Sequence, residues 1–392
     1  MSDPIVIVSA VRTPMGAMTG SLSALAAHEL GSVAIKAALE RAGVNPEQVD
    51  EVLMGNVLQA GQGQAPARQA ALGAGIPKSA PCTTVHKVCG SGMKTAMLGH
   101  DMLKAGSANI VVAGGQESMS NAPYLLKQGR TGYRFGDAKI FDHMTLDGLE
   151  DAYEHKPMGI YAEATVDKYG FTREDQDNFA IESLRRANAA IADGSFAKEI
   201  APVTIKSRRG DTVVDTDEAP GRAMPEKIPG LRPAFVKDGT VTAANASSIS
   251  DGASALVLMR ESTAKELGLK PIAKIVGHTQ HAHEPEWFTT APVGAMQKLM
   301  DKAGWKVEDV DLFEINEAFA VVTMAAMKDL NIPHEKVNVY GGATALGHPI
   351  GASGTRIITT LLNALQNKGG KRGVASLCIG GGEAVAMAVE LV

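Results

Sequence analysis

Asn109-Ile110-Val111-Val112-Ala113-Gly114-Gly115 is a short, uninterrupted, β-branched apolar run closed by two glycines. That is the pattern of a strand buried on both faces. Immediately upstream, Met93 to Lys104 reads as a helix, and before it Cys82-Thr83-Thr84-Val85-His86-Lys87-Val88 reads as a strand or extended arm. Further back, strand-like Ile5 to Val8 precedes an alanine-rich helix, Leu30 to Ala42, stopped by Gly43. A strand over Val49 to Gly55 and a helix over Ala65 to Gly73 follow. Strands alternating with helices predict an α/β class with a mostly parallel sheet covered on both faces.

With 392 residues the chain can bury a large core in two or three domains. A net charge of −5 supplies no general field for nucleic acid or an anionic membrane, so neither is expected as a partner. No uncharged apolar stretch reaches the ~18 residues needed to span a bilayer. Cys82, Cys89 and Cys378 are too few and too scattered for a disulfide framework or a zinc site. No histidine pair such as His281 and His283 comes with a nearby cysteine or a helical spacing, so no metal is expected. With no visible leader peptide, the expected compartment is the cytoplasm.

Regular alternation stops near Gln116 and resumes at Ala255 to Met259. Between them lie loop-like clusters such as Lys206-Ser207-Arg208-Arg209-Gly210, and one clear helix that opens on a capping signal at Thr172 and runs to about Asp193. The second regular region repeats the first. Ala42-Gly43 before Val49-Asp50 recurs as Ala303-Gly304 before Val310-Asp311. Ser91-Gly92-Met93-Lys94 recurs as Ser353-Gly354-Thr355-Arg356, and Gly114-Gly115-Gln116-Glu117 as Gly380-Gly381-Gly382-Glu383. A duplicated α/β unit with an insertion follows. Residues 1–117 with 247–270 form the first half, 118–246 the inserted loop domain, and 271–392 the second half.

Chemistry concentrates around Lys87-Val88-Cys89-Gly90-Ser91-Gly92-Met93-Lys94, where a cysteine sits at a sharp turn into a helix. A helix N-terminus, two flanking lysines and the absence of nearby acids predict a thiolate there. The alternative is a small buried cysteine at a crowded helix start. Three further stretches set polar residues beside glycines in apolar surroundings. They are Phe313-Glu314-Ile315-Asn316-Glu317-Ala318-Phe319-Ala320, the glycine-dense Tyr340 to Gly354 containing His348, and Ser376-Leu377-Cys378-Ile379-Gly380-Gly381-Gly382-Glu383. Buried polar groups need partners, and one shared pocket supplies them.

On Cys-Gly-Ser-Gly, Asn-Glu-Ala-Phe, Gly-His-Pro-Ile-Gly-Ala-Ser-Gly and Cys-Ile-Gly-Gly-Gly in that order, the sequence closely resembles the thiolase family over nearly its whole length. The resemblance implies a five-layered αβαβα fold from two similar halves, with the insertion covering coenzyme A. It implies reversible Claisen condensation of two acetyl-CoA to acetoacetyl-CoA and CoA through an acetyl-cysteine. Cys89 matches the nucleophile, His348 its base, Cys378 the acid/base for the α-proton, and Asn316 the residue holding a water against the enolate oxygen. The N–H groups of Cys89 and Gly380 match the donors to the tetrahedral oxyanion. For the substrate, Ser247, Ala243, Phe235, Ala318 and Phe319 match the pantetheine channel and Met158 the acyl-pocket closure, with Arg222 and Lys227 among the cations for phosphate. Coenzyme A thioesters are thus expected as substrates, with no tightly bound cofactor, in a homodimer or homotetramer assembled through the region Ser118 to Asp142.

Two positions depart from the family pattern. His86 stands where asparagine is usual, and Pro157 where short-chain members commonly have histidine. Acyl preference therefore stays open between acetyl-CoA condensation and degradation of longer 3-ketoacyl-CoAs. A catalytically silent acyl-CoA or lipid-binding protein on the same fold is the alternative from a different class.

Overall fold

The computed structural model describes residues 3–392. The elements that place the site are, in chain order, β1 (Ile5–Arg12), α1 (Ala27–Ala42), β2 (Glu51–Gly55), α2 (Pro66–Gly73), β3 (Cys82–Val85), α3 (Ser91–Ala105) and β4 (Ile110–Ser118). After them come α4 (Met158–Tyr169), α5 (Arg173–Ala192), β5 (Ser250–Arg260), β6 (Ala273–Ala282), α6 (Ala291–Ala303) and β7 (Leu312–Ile315). The chain closes with α7 (Ala320–Leu330), α8 (Ser353–Lys368), β8 (Arg372–Ile379) and β9 (Glu383–Leu391).

The strands form one ten-stranded sheet in the order β7-β8-β9-β6-β1-β5-β4-β2-β3, with the short strand Gly16–Ala17 beside β5. Within the sheet the halves join where β1 pairs with β6, Val6 with Lys274 and Ile7 with Ala273. Each half repeats one pattern: β2 runs parallel to β4 as β7 does to β8, and β4 is antiparallel to β5 as β8 is to β9. The expectation of a mostly parallel sheet is therefore corrected, since only β2–β3, β2–β4 and β7–β8 are parallel. Burial on both faces marks β4 and β5 equally well whichever way they run. The last strand of the second half returns through a tight turn, with Gly381 at φ 94° and Gly382 at φ 86°, rather than through a crossover helix.

Alternation along the strands builds five layers. Val6, Val52, Val112 and Val257 pack with α1 and α2 on one outer side. Phe313, Ile315, Ala384 and Ala386 pack with α6 on the other. Ile5, Ile7, Val111, Leu377 and Val385 face inward onto Met93 and Met97 of α3 and Ile357 and Leu361 of α8. The central helices touch backbone to backbone. A Cβ on Gly354 would lie 2.0 Å from Met93 N, and one on Gly92 3.0 Å from Thr355 N. The repeated Ser-Gly of the sequence is thus the contact between the two halves.

The third sequence repeat is out of register. Ser91 to Ser353 is a step of 262 residues, whereas Gly114 to Gly380 is 266. Gly114 to Glu117 lie within strand β4, while Gly380 to Gly382 form the turn after β8. Glycine-rich similarity misled because glycine serves close approach in one place and a left-handed turn in the other.

The segment from Met119 to Asn245 carries two small hairpins, Tyr124–Leu125 with Phe141–Asp142 and Val203–Ile205 with Thr212–Val214, besides α4 and α5. The Thr172 hydroxyl accepts from Asp175 N at the start of α5, and Asp175 Oδ2 accepts from Thr172 N.

Candidate active site

Cys89 is presented by strained backbone. Val88 has φ 43°, a left-handed conformation unusual for a β-branched residue and costing about 1–3 kcal/mol. Ser91 holds this turn, its Oγ donating to Val88 O at 2.6 Å and accepting from Lys87 N at 2.9 Å. The nucleophile candidate therefore sits just before α3, partly exposed to a cavity of 430 Å³.

That cavity draws its wall from both halves and the insertion: Cys89, His348, Cys378 and Gly380, then Ser247 and Ala243. Met158, Phe235, Ala318 and Phe319 line it too, buried Asn316 does not reach the wall, and the structure adds Phe288, Met119 and Ile350. Phe319 meets Phe235 and Phe288 edge to face, with ring centroids 6.0 and 6.3 Å apart. Ser247 is fixed by its N–H, which donates to Ala318 O at 2.9 Å. Met158 lies over the turn at Gly380, where a Cβ would meet Met158 Cε at 3.6 Å.

The tautomer of His348 follows from its neighbours. Ser353 Oγ lies 2.9 Å from Pro349 O and 2.5 Å from His348 Nδ1. With the Ser353 proton on the Pro349 carbonyl, Nδ1 carries the imidazole proton and donates it to Ser353, the tautomer that the Asn316 amide facing Nε2 also favours. His348 Nε2 is then an unprotonated base. Asn316 Nδ2 lies 3.4 Å from that nitrogen, and its orientation is set by Arg356 Nη2, which donates to Asn316 Oδ1 at 3.2 Å. Burial first and the Arg356 charge second push the imidazole down to about 3, so it rests neutral.

The sulfur is not the thiolate that its sequence context predicts. Burial pushes Cys89 up to about 11, with Glu117 adding to the rise against lowering hydrogen bonds from the N–H groups of Gly380 and Cys89 itself. The flanking lysines do not compensate, because Lys87 is paired with Glu383 and Lys94 Nζ reaches out to Gln280 Oε1 at 3.5 Å. What lowers it are backbone N–H groups: its own just before α3 and that of Gly380 from the turn after β8. Cys378, buried at the end of β8, is raised well above an ordinary thiol by burial and by Cys89 beside it.

Glu117 is a missed organiser. Its carboxylate accepts from Val57 N, Leu58 N, Gly351 N and Asn56 Nδ2 at 2.7 to 3.1 Å, tying the loop after His348 to the first half. Arg222 and Lys227 do not reach this cavity: both are exposed, Arg222 is paired with Glu218, and among the described residues no lysine or arginine lines the wall. His86 is the repeat counterpart of His348, again 262 residues away, but lies on a neighbouring cavity with His143 and Asp147.

Two similar halves joined at their central helices, with a cysteine from one and a histidine and second cysteine from the other, define the thiolase class. The chain belongs to the thiolase family: the thiolase N-terminal domain matches residues 5–262 and the thiolase C-terminal domain residues 269–391. It is 53% identical over 392 residues, all of both chains, to acetyl-CoA acetyltransferase of Cupriavidus necator. It is 53% identical to acetyl-CoA acetyltransferase 2 of Arabidopsis thaliana over 99% of this chain and 97% of that one. Among solved structures, the Bacillus anthracis acetyl-CoA acetyltransferase superposes with a TM-score of 0.97 at 43% identity, covering 100% of this chain and 99% of that one. The Acat5 thiolase of Ascaris suum, in complex with coenzyme A, gives 0.94 at 45% identity, covering 99% and 100%.

Proposed function

We propose that the chain is an acetyl-CoA C-acetyltransferase acting through acetyl-Cys89. The observation that carries this is the convergence of Cys89, Cys378 and an Nε2-unprotonated His348 on one apolar cavity. Relatives named acetyl-CoA acetyltransferase and the neighbour bound to coenzyme A support the substrate class.

In the first half-reaction His348 Nε2 takes the Cys89 proton as the sulfur attacks the thioester carbon. The charge forming on oxygen falls to the N–H groups of Cys89 and Gly380, each such donor being worth about 3 kcal/mol. The carbon–sulfur bond to coenzyme A breaks, and the departing sulfur takes the Cys378 proton. Cys378, now a thiolate whose raised basicity suits a weak carbon acid, removes a methyl proton from a second acetyl-CoA. The enolate oxygen is held by His348 and by Asn316 through water. Its carbon attacks acetyl-Cys89, and the freed sulfur recovers its proton from His348. Every proton is returned.

Pantetheine would run along Ala243, Ser247, Ala318 and Phe319, with Met158 restricting the acyl group to short chains. The cations for phosphate lie outside the cavity wall, and Arg222 and Lys227 stay candidates by the family resemblance alone. The division into 1–117 with 247–270, 118–246 and 271–392 is proposed on the repeated strand order. Assembly as a dimer or tetramer is supported by exposed Tyr124, Leu126, Phe135 and Ile140, beside Lys127, Arg130 and Arg134, in the region Ser118 to Asp142. Three free cysteines fit a reducing cytoplasm. Among the described residues no helix is long and apolar enough to cross a membrane.

Steady-state thiolysis of acetoacetyl-CoA and of a longer 3-ketoacyl-CoA tests the proposal. Preference for acetoacetyl-CoA, with an acetyl group found on the Cys89 peptide, is expected. Preference for the longer chain would select the degradative reading, and absence of acetyl-Cys89 the silent binder.

A further inference from the structure

His100 and His278 are 178 positions apart, so no sequence spacing suggests a metal site, yet the fold brings them together beside Asp101. His100 Nδ1 lies 2.9 Å from Asp101 Oδ1, His278 Nε2 lies 2.9 Å from the same oxygen, and the two nitrogens are 3.3 Å apart. The rings cross at 85° with centroids 5.0 Å apart, so they meet edge to face rather than stacking. We propose that His100, Asp101 and His278 hold one divalent transition-metal ion of the zinc and cobalt class.

The triangle has the right size. Metal–nitrogen and metal–oxygen bonds of about 2.1 Å put neighbouring ligands about 3.4 Å apart in a tetrahedron and about 3.0 Å apart in an octahedron. The three observed edges fall in or beside that range. Two imidazoles and a carboxylate on one triangular face suit zinc, cobalt or ferrous iron better than magnesium or calcium, which take oxygen ligands. Asp101 is exposed, which leaves an entry path and room for water in the remaining positions. The two imidazoles are partly buried, which restricts their side chains and lowers the ordering cost of binding. Lys302 on α6 donates to His278 O at 3.1 Å, so its charge weakens the site while it anchors the strand.

The location gives the ion a role. His100 and Asp101 belong to α3, whose first turn follows Cys89, and His278 belongs to β6 of the second half. A bound ion clamps the nucleophile's helix to the opposite half at a distance from the catalytic cavity, whose lining includes none of the three. It therefore stabilises the join between the halves and takes no part in acyl transfer.

Cobalt(II) titration of the full-length protein tests this by its electronic spectrum. Binding here gives weak visible ligand-field bands without a near-ultraviolet thiolate-to-cobalt band, and raises Tm. His278→Gln should abolish those bands or weaken binding about a hundredfold, and remove the Tm rise, while retaining thiolysis of acetoacetyl-CoA. If that variant does not fold, Asp101→Asn, changed at an exposed side chain, reads the same spectrum. A spectrum dominated by thiolate charge transfer, bands unchanged in either variant, or no bands at millimolar cobalt would overturn the proposal.

Discussion

Replacing Ser353 by alanine removes the one acceptor that holds the His348 proton on Nδ1. The imidazole is buried, so an N–H left without a partner costs about 1–3 kcal/mol. The ring can avoid that cost by moving its proton to Nε2, but then it no longer offers a lone pair to Cys89. Restoring the working tautomer before each turnover therefore adds the same 1–3 kcal/mol to the barrier, a fall in kcat of about 5- to 150-fold. Thiolysis of acetoacetyl-CoA by Ser353→Ala should show that loss in kcat with KM for CoA nearly unchanged, because Ser353 does not line the cavity. Unaltered Tm would separate this from general damage. A well-folded variant within twofold of the parent kcat would refute the tautomer argument.

In His348→Ala, which lacks the base, alkylation of Cys89 by iodoacetamide should accelerate about tenfold per pH unit from pH 7 toward 10, since burial pushes the thiol up to about 11. A rate already flat at pH 7 would mean that a thiolate is present at rest. Cys378→Ser should still accept an acetyl group on Cys89, visible by peptide mass, but fail to condense; normal condensation would remove its assigned role. Met158→Ala, which clears the space over Gly380, should raise the ratio of long-chain to acetoacetyl-CoA kcat/KM by roughly tenfold, because each methylene accommodated is worth about 1–3 kcal/mol. Gly354→Ala should cost more than about 3 kcal/mol in chemical denaturation because its Cβ meets backbone at 2.0 Å; Gly92→Ala, at 3.0 Å, should be milder.

Much of the fold was legible because apolar periodicity and repeated segments survive in the chain. Strand direction was not, since β4 and β5 are buried on both faces and alternation carries no arrow. Among the site residues, Cys89, His348, Cys378 and Gly380 stood out through glycine-rich surroundings and motif order. Ser353 and Arg356 were visible as a repeat of Ser91 and Lys94, and Ser353 within the His348 motif, but their hold on His348 and Asn316 depends on side-chain directions inside α8. The predicted thiolate failed first because the fold buries the sulfur, which sequence context does not show, and the flanking lysines give no relief because Lys87 turns away to Glu383. Arg222 and Lys227 do not line the cavity, and charge in a loop alone does not say which cation meets phosphate.

The glycine contact between α3 and α8 also bears on how the molecule comes apart. Because Gly92 and Gly354 bring main chain against main chain, neither half can slide without exposing the inward faces of both sheet halves to water. Opening that seam therefore approaches the free energy of losing the whole core. Amide protons in the first turns of both helices should consequently exchange together and last, in step with global unfolding, so that the nucleophile and its base are neighbours in every well-populated folded state.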